Sequence, residues 1–251
     1  MSRILNNKIV INKRLSWAII GAVIIIILMI ILLIKTIASN KAQQQAEIAS
    51  MASTNIIIEN TGDIGEDGNI EVDVTIPHFK NLSDSYNFYI NDLIKDRYSY
   101  KKVFKEFVAG MKNAELLRFK YNVNYERYDY YDFISIIINE YAELEGNRPR
   151  ITKACYVINA KDSRTASLGD AFDTNKDYKK AILDEINKQA KNQKIEFVGD
   201  NELTVLSEFQ SFYIKDNKLH IFFEASSVAA NSFGDLDFEM PFKTNKGKFI
   251  I

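Results

Sequence analysis

Two histidines, one cysteine and 33 acidic residues are the groups from which a catalytic or metal centre would have to be built. His78 follows Pro77 at the end of a strand-like run. His220 alternates with Leu219 and Ile221, a spacing that turns it outward on a strand. A metal centre needs three or four converging ligands, and no Cys/His/Asp cluster has ligand spacing. The chain lacks a Gly-x-Ser-x-Gly elbow, a phosphate-binding loop and a His-Glu-x-x-His pair. The carboxylate pairs Asp235/Asp237 and Glu143/Glu145 fall at i and i+2, where strand side chains share one face. That spacing is ordinary for a solvated strand, and a glycosidase pair needs a set separation across a cleft. No enzyme activity and no cofactor are expected from these residues.

The tyrosines carry more information. Tyr121, Tyr125, Tyr128, Tyr130 and Tyr131 crowd one predicted hairpin. Tyr121 and Tyr125 fall on its apolar face and read as core. Tyr128, Tyr130 and Tyr131 read equally as a cap on the hairpin or as an amphipathic platform for a sugar ring or a protein. A second candidate surface runs from Ser226 to Gly234, a small-residue loop between strands that holds Ala230, Asn231 and Phe233. Phe233 could equally plug the core. The candidate partner-binding set is therefore Tyr128, Tyr130, Tyr131, Ala230, Asn231 and Phe233.

The elements that would position these residues follow from periodicity. Ile70 to Ile76 alternates apolar and polar, predicting a strand ended by Pro77. Residues 81–109 have helical spacing, with Tyr86, Tyr89, Ile90, Leu93 and Ile94 on one face and a break near Tyr98. Leu117 to Glu126 alternates strictly, and Phe133 to Tyr141 is isoleucine-rich and reads as more fully buried. The stretch from Tyr128 to Asp132 connects them. Ile151 to Asn159 is a third strand. Residues 176–191 form an amphipathic helix with Tyr178, Ile182, Ile186 and Ala190 in one stripe. Phe209 to Lys215 and Leu219 to Ala225 flank a turn at Asp216-Asn217, and Leu236 to Phe242 is the last expected strand. Strand runs with helices set apart from them predict an α+β fold, a mainly antiparallel sheet with packed helices.

Ahead of this domain, Leu15 to Ile34 is twenty residues without a charge. As a helix it would be about 30 Å long, the thickness of a bilayer's hydrocarbon core. A cleaved signal peptide would have a shorter apolar run and a small-residue cleavage site. We expect one transmembrane helix over 15–37, a cytoplasmic tail over 1–14, a tether over 38–68 and the extracytoplasmic domain over 69–251. The tether could be helical for a few turns or disordered. Arg3, Lys8, Lys13 and Arg14 precede the run without any acid, which keeps the N-terminus inside and sends the rest across. Those four cations take the net charge from −1 for the whole chain to −5 for residues 35–251. A mildly acidic domain argues against nucleic acid as a partner. With a single cysteine, Cys155, no internal disulfide is available, and the domain must stand on its core. Cys155 lies in an apolar run and reads as a small buried hydrophobe.

These segments, in this order, resemble the extracellular domain of the anti-sigma-V factors of Gram-positive bacteria, a module also found in some peptidoglycan deacetylases. The resemblance rests on Val74-Thr75-Ile76-Pro77 followed by Tyr86-Asn87-Phe88-Tyr89-Ile90-Asn91. It continues in Tyr156-Val157-Ile158-Asn159 with Ser167-Leu168-Gly169-Asp170-Ala171-Phe172. It closes on Phe212-Tyr213-Ile214, Leu219-His220-Ile221-Phe222-Phe223 and the run from Gly234 to Pro241. It spans roughly residues 70–242. The resemblance implies a domain that binds a protein or glycan at the cell envelope; in the anti-sigma members the partner is lysozyme. Ser226 and Ala230 stand where the family usually has Tyr and Pro. About fourteen residues precede the hydrophobic run, too few for a domain that grips a sigma factor. The expectation is a membrane-anchored binding or sensing domain. The alternatives are a component of peptidoglycan modification and a structural part of an envelope complex.

Overall fold

The computed structural model describes residues 29–31, 34–36, 56–112, 116–173, 177–199, 202–207 and 209–251. The chain forms two compact units, Met1–Glu47 and Ile48–Ile251. In the first, residues 29–31 and 34–36 are helical. The expected tail, most of the expected anchor and residues 38–55 of the expected tether lie outside the described residues. Among the described residues no helix is long and apolar enough to cross a membrane.

The second unit is mixed α+β and strand-rich. In chain order it has β1 (Ile57–Thr61), β2 (Ile64–Asp67), β3 (Ile70–Val74), β4 (Ile76–Lys80), α1 (Asp84–Arg97) and α2 (Tyr100–Phe107). Then come β5 (Phe119–Tyr130), β6 (Phe133–Leu144), β7 (Arg150–Asn159), β8 (Arg164–Thr165) and α3 (Tyr178–Gln193). The chain closes with β9 (Phe212–Lys215), β10 (Lys218–Phe223), β11 (Leu236–Met240), β12 (Lys243–Asn245) and β13 (Lys248–Ile250). The main sheet has the order β2-β3-β5-β6-β7-β8; smaller ones are β9-β10-β11, β1-β4 and β12-β13. Only the β3–β5 pair is parallel among the named strands.

The tether expected up to residue 68 is corrected here. Residues 57–61 and 64–67 are strands, and Ile56 is already buried. Residues 62–63 and 68–69, each with a glycine, are the connections between β1, β2 and β3. A Cβ on Gly62 would sit 1.8 Å from the carbonyl oxygen of Val74, so only glycine lets the chain pass from β1 to β2 there. Pro77 also does not end a strand; it lies inside β4, opposite Asn60. The Asn91 side chain of α1 explains how. Its Oδ1 accepts from Phe79 N and its Nδ2 donates to Phe79 O, both at 2.8 Å. Phe79 therefore turns its backbone groups away from β1, and Pro77, two residues earlier, shares that side. Its missing N–H costs no ladder bond.

Two hydrophobic cores lie on opposite faces of the main sheet. Because strand side chains alternate, Ile134, Ile136 and Ile138 of β6 face α1, α2 and β4, meeting Ile90, Ile94, Val103 and Phe79. Phe133 and Ile137 face the other way, toward β9–β11, α3 and the β12–β13 hairpin. β6 is thus buried on both faces over its first half. Ser135 is the polar exception. It is fully buried, and its Oγ accepts the backbone N–H of Ile214 at 2.9 Å, fastening β9 across β6. The predicted stripe of α3 holds: Ile182, Ile186 and Ala190 are buried, and Asp177 caps the helix at Lys180 N (3.1 Å). The helix break expected near Tyr98 is also present. The β12–β13 hairpin lies beyond the last expected strand and carries Phe249 into the core.

Candidate functional site

The main sheet has an incomplete edge at β7. β8 covers only Ile158 and Asn159 of that strand, and Ala166 N adds a bond to Val157 O at 2.7 Å. In an antiparallel strand, successive residues turn their N–H and C=O to opposite sides. Val157 points outward, so Cys155, Lys153 and Ile151 do too, while the even residues serve the ladder with β6. Among the described residues no backbone partner meets the three outward positions. Ile151 is 72 % exposed.

A cleft of about 720 Å³ opens at this edge. Its floor is Cys155, Tyr156 and Val157. One wall is α1, through Tyr89, Ile90 and Leu93; the other is the approach to β9, through Phe209 and Phe212. Tyr89 (64 %) and Phe209 (95 %) are strongly exposed, and Leu93 is exposed as well. A smaller recess of about 340 Å³ shares Leu93 and continues past Arg97, Glu140, Arg150 and Thr152. Apolar groups thus flank, on both sides, a strand edge that is unpaired among the described residues.

The charged groups around the cleft are satisfied within the chain. Arg97 meets Glu224 at 3.0 Å. Arg164 holds Asp170 through two bonds of 2.8 Å, and Asp170 also accepts from Ser167 N at 2.7 Å. The Arg164 guanidinium holds the Asp170 carboxyl down at about 2. Burial pushes the Cys155 thiol up to about 12, so at neutral pH it is a thiol and not a nucleophilic thiolate. Burial also raises Tyr156. Buried Glu140 accepts from Tyr121 and Arg150, each at 3.0 Å, and from Thr152.

His220 does not face solvent as its alternation suggested. Its ring stacks on Tyr213 at 4.5 Å, and its Nδ1 lies 3.1 Å from Asp237. Tyr213 donates to the same carboxylate, and Lys153 Nζ approaches it at 3.8 Å. Burial alone would raise Asp237, but the bonds from His220 and Tyr213 outweigh it and hold the carboxyl below its ordinary value. Asp235 instead accepts Ala225 N at 2.9 Å. Among the described residues no three His, Cys, Asp or Glu side chains are placed to hold a metal.

The six candidate residues from the sequence are not brought together. Tyr128, expected in the connection, lies instead on β5, bonded to Glu126 and under Lys215 Nζ (4.5 Å from the ring centroid). That is the turn end of the β9–β10 hairpin. Tyr130 is buried and stacks on Phe249 at 5.8 Å. Tyr131 occupies a two-residue turn with Asp132 and packs its ring against Gly247. Ala230, Asn231 and Phe233 sit at the opposite end of β10, exposed, in a short 3-10 turn over 231–233. The cleft residues Tyr89, Leu93 and Phe209 did not enter the sequence-based set. The broad apolar face of α1 was the available signal, because it holds more large apolar groups than one core contact buries.

Residues 169–243 match a family model described as a protein of unknown function, DUF3298. The matched residues include α3 and β9 to β11. No curated protein matches the chain. Two similar solved structures are both of DUF3298 proteins. One, from Bacteroides fragilis, is 12 % identical with a TM-score of 0.42, covering 76 % of this chain and 91 % of its own. The other, from Pseudomonas aeruginosa, is 9 % identical with a TM-score of 0.44, covering 76 % and 92 %.

Proposed function

We propose that this chain is a non-enzymatic binding domain of the bacterial cell envelope, anchored by residues 15–37, whose partner docks in the cleft beside β7. The observation that carries the reading is the exposure of Tyr89, Leu93 and Phe209 around one cleft, since large apolar groups gathered in a concavity mark binding sites. The chemistry of the cleft points the same way: the Asp170 carboxylate beside it is paired with Arg164, and its thiol stays protonated. The uncharged run Leu15 to Ile34 and the cations ahead of it support the anchor and its orientation. The resemblance to anti-sigma-V factors makes lysozyme the first partner to try.

The experiment is calorimetry of the full chain in detergent micelles against lysozyme, with Leu93→Lys as the cleft variant. Micromolar or tighter binding that Leu93→Lys abolishes supports lysozyme as the occupant. Absence of heat rejects lysozyme, and binding untouched by Leu93→Lys rejects the cleft. Protease treatment of intact cells tests orientation: an uncleaved second unit would overturn the outward placement.

A further inference from the structure

We infer that the cleft takes an extended, uncharged, apolar polypeptide segment of another protein, which pairs with β7 as an added strand. The inference rests on the reading of the cleft as a binding site and specifies its ligand. Three features select that ligand.

The first is the backbone that meets no partner among the described residues. Ile151, Lys153 and Cys155 present outward N–H and C=O groups on every second residue, and β8 shows the pairing that such groups make before the chain turns away at Ser167. An incoming strand would continue the line of β8 along β7. Only a ligand with amides at strand spacing can match all three positions; a glycan cannot. The second feature is the pair of walls. Side chains of an added strand alternate between two faces. One set would meet Tyr89 and Leu93 of α1, and the other Phe209 and Phe212. The third is charge. Arg164, the charged residue of the cleft lining, is paired with Asp170, and Lys153 beside it reaches Asp237, so the lining is complementary to a segment without charge; the Arg97–Glu224 pair, which joins α1 to the end of β10 around the sheet edge, opens when the strand enters. A charged segment would have to break one of these pairs or bury its own charge.

Lys153 supplies the test. Its N–H faces outward, so Lys153→Pro removes one donor from the edge while the even residues keep the β6 ladder. The full chain in micelles is presented with a library of acetylated, amidated heptapeptides built from Val, Ile, Thr, Tyr and Ala. Retained peptides are measured by fluorescence anisotropy, then remade with N-methyl groups on alternate amides in both registers. The expected results are tenfold or greater weakening by N-methylation in one register only, similar weakening by Lys153→Pro, and slowed amide exchange at Ile151, Lys153 and Cys155 in the complex. The N-methyl arm leaves the protein untouched and holds even where the proline variant misfolds. Equal binding in both registers, or no peptide retained, overturns strand addition. Peptides lost with Leu93→Lys yet indifferent to N-methylation would leave the cleft a binding site without an added strand. Dimerisation of the chain that Lys153→Pro abolishes would make a second copy the occupant and also overturn the inference.

Discussion

Replacing Ser135 with alanine deletes one oxygen from the seam between β6 and β9. In the β9–β10 hairpin, Lys215 and Lys218 close the turn as a bonded pair, so Ile214, one residue back, points its N–H away from β10. Ser135 Oγ is the acceptor that N–H finds, and both residues are fully buried. Without it a buried donor is left unsatisfied, which costs about 1–3 kcal/mol. Removing the hydroxyl also relieves its own desolvation, so a net loss of about 2 kcal/mol is expected. For a unit of this size that lowers the unfolding midpoint by roughly 4–8 °C. Urea unfolding of the full chain, followed by near-ultraviolet circular dichroism, reads the change directly. Ser232→Ala, on an exposed turn, serves as the control and should stay within about 0.5 kcal/mol of the parent. If Ser135→Ala also stays within that margin, the account of how β9 is fastened to the main sheet is wrong.

Gly62→Ala should cost upwards of about 2 kcal/mol, because the new Cβ falls on the Val74 carbonyl and β1 must shift from β4; thermal unfolding reads it. Asp170, held down at about 2, contributes stability that is complete above the ordinary carboxylate pKa of about 4 and is lost as pH falls from about 4 to 2. The gap between parent and Asp170→Asn, measured by urea unfolding, should therefore be large at pH 7 and nearly closed at pH 2. Arg150→Met keeps the aliphatic stem but removes a donor from buried Glu140; a loss of about 1–3 kcal/mol is expected, discounted because the guanidinium is partly exposed.

Long strands with strong patterns were legible in the sequence. β5 alternates strictly from Phe119 to Glu126, and β6 is isoleucine-rich because both faces of its first half meet a core. The short elements were not. β1, β2, β12 and β13 have three to five residues each, too few for periodicity to reveal. Pro77 misled for a specific reason: whether proline is tolerated depends on which way its nitrogen faces, and that is set by pairing with β1. The same dependence hid the cleft. Outward parity at Ile151, Lys153 and Cys155 follows from register with β6 and β8, which no single segment carries. Tyr130 and Tyr131 looked available because the residues that occupy them, Phe249 and Gly247, lie beyond the last recognised strand.

The parallel pair β3–β5 has a consequence for how the molecule is made. β5, β6 and β7 follow one another through short turns, so their ladder can close quickly. β3 can join β5 only after β4, α1 and α2 have been laid across the sheet, because a parallel partner requires a crossover. During that delay the early three-stranded core has two bare margins, and β7 is one of them. A nascent chain in that condition is a template for its own kind. The ammonium of Lys153, carried in the middle of that margin, makes stacking against an identical edge unfavourable while assembly is still under way.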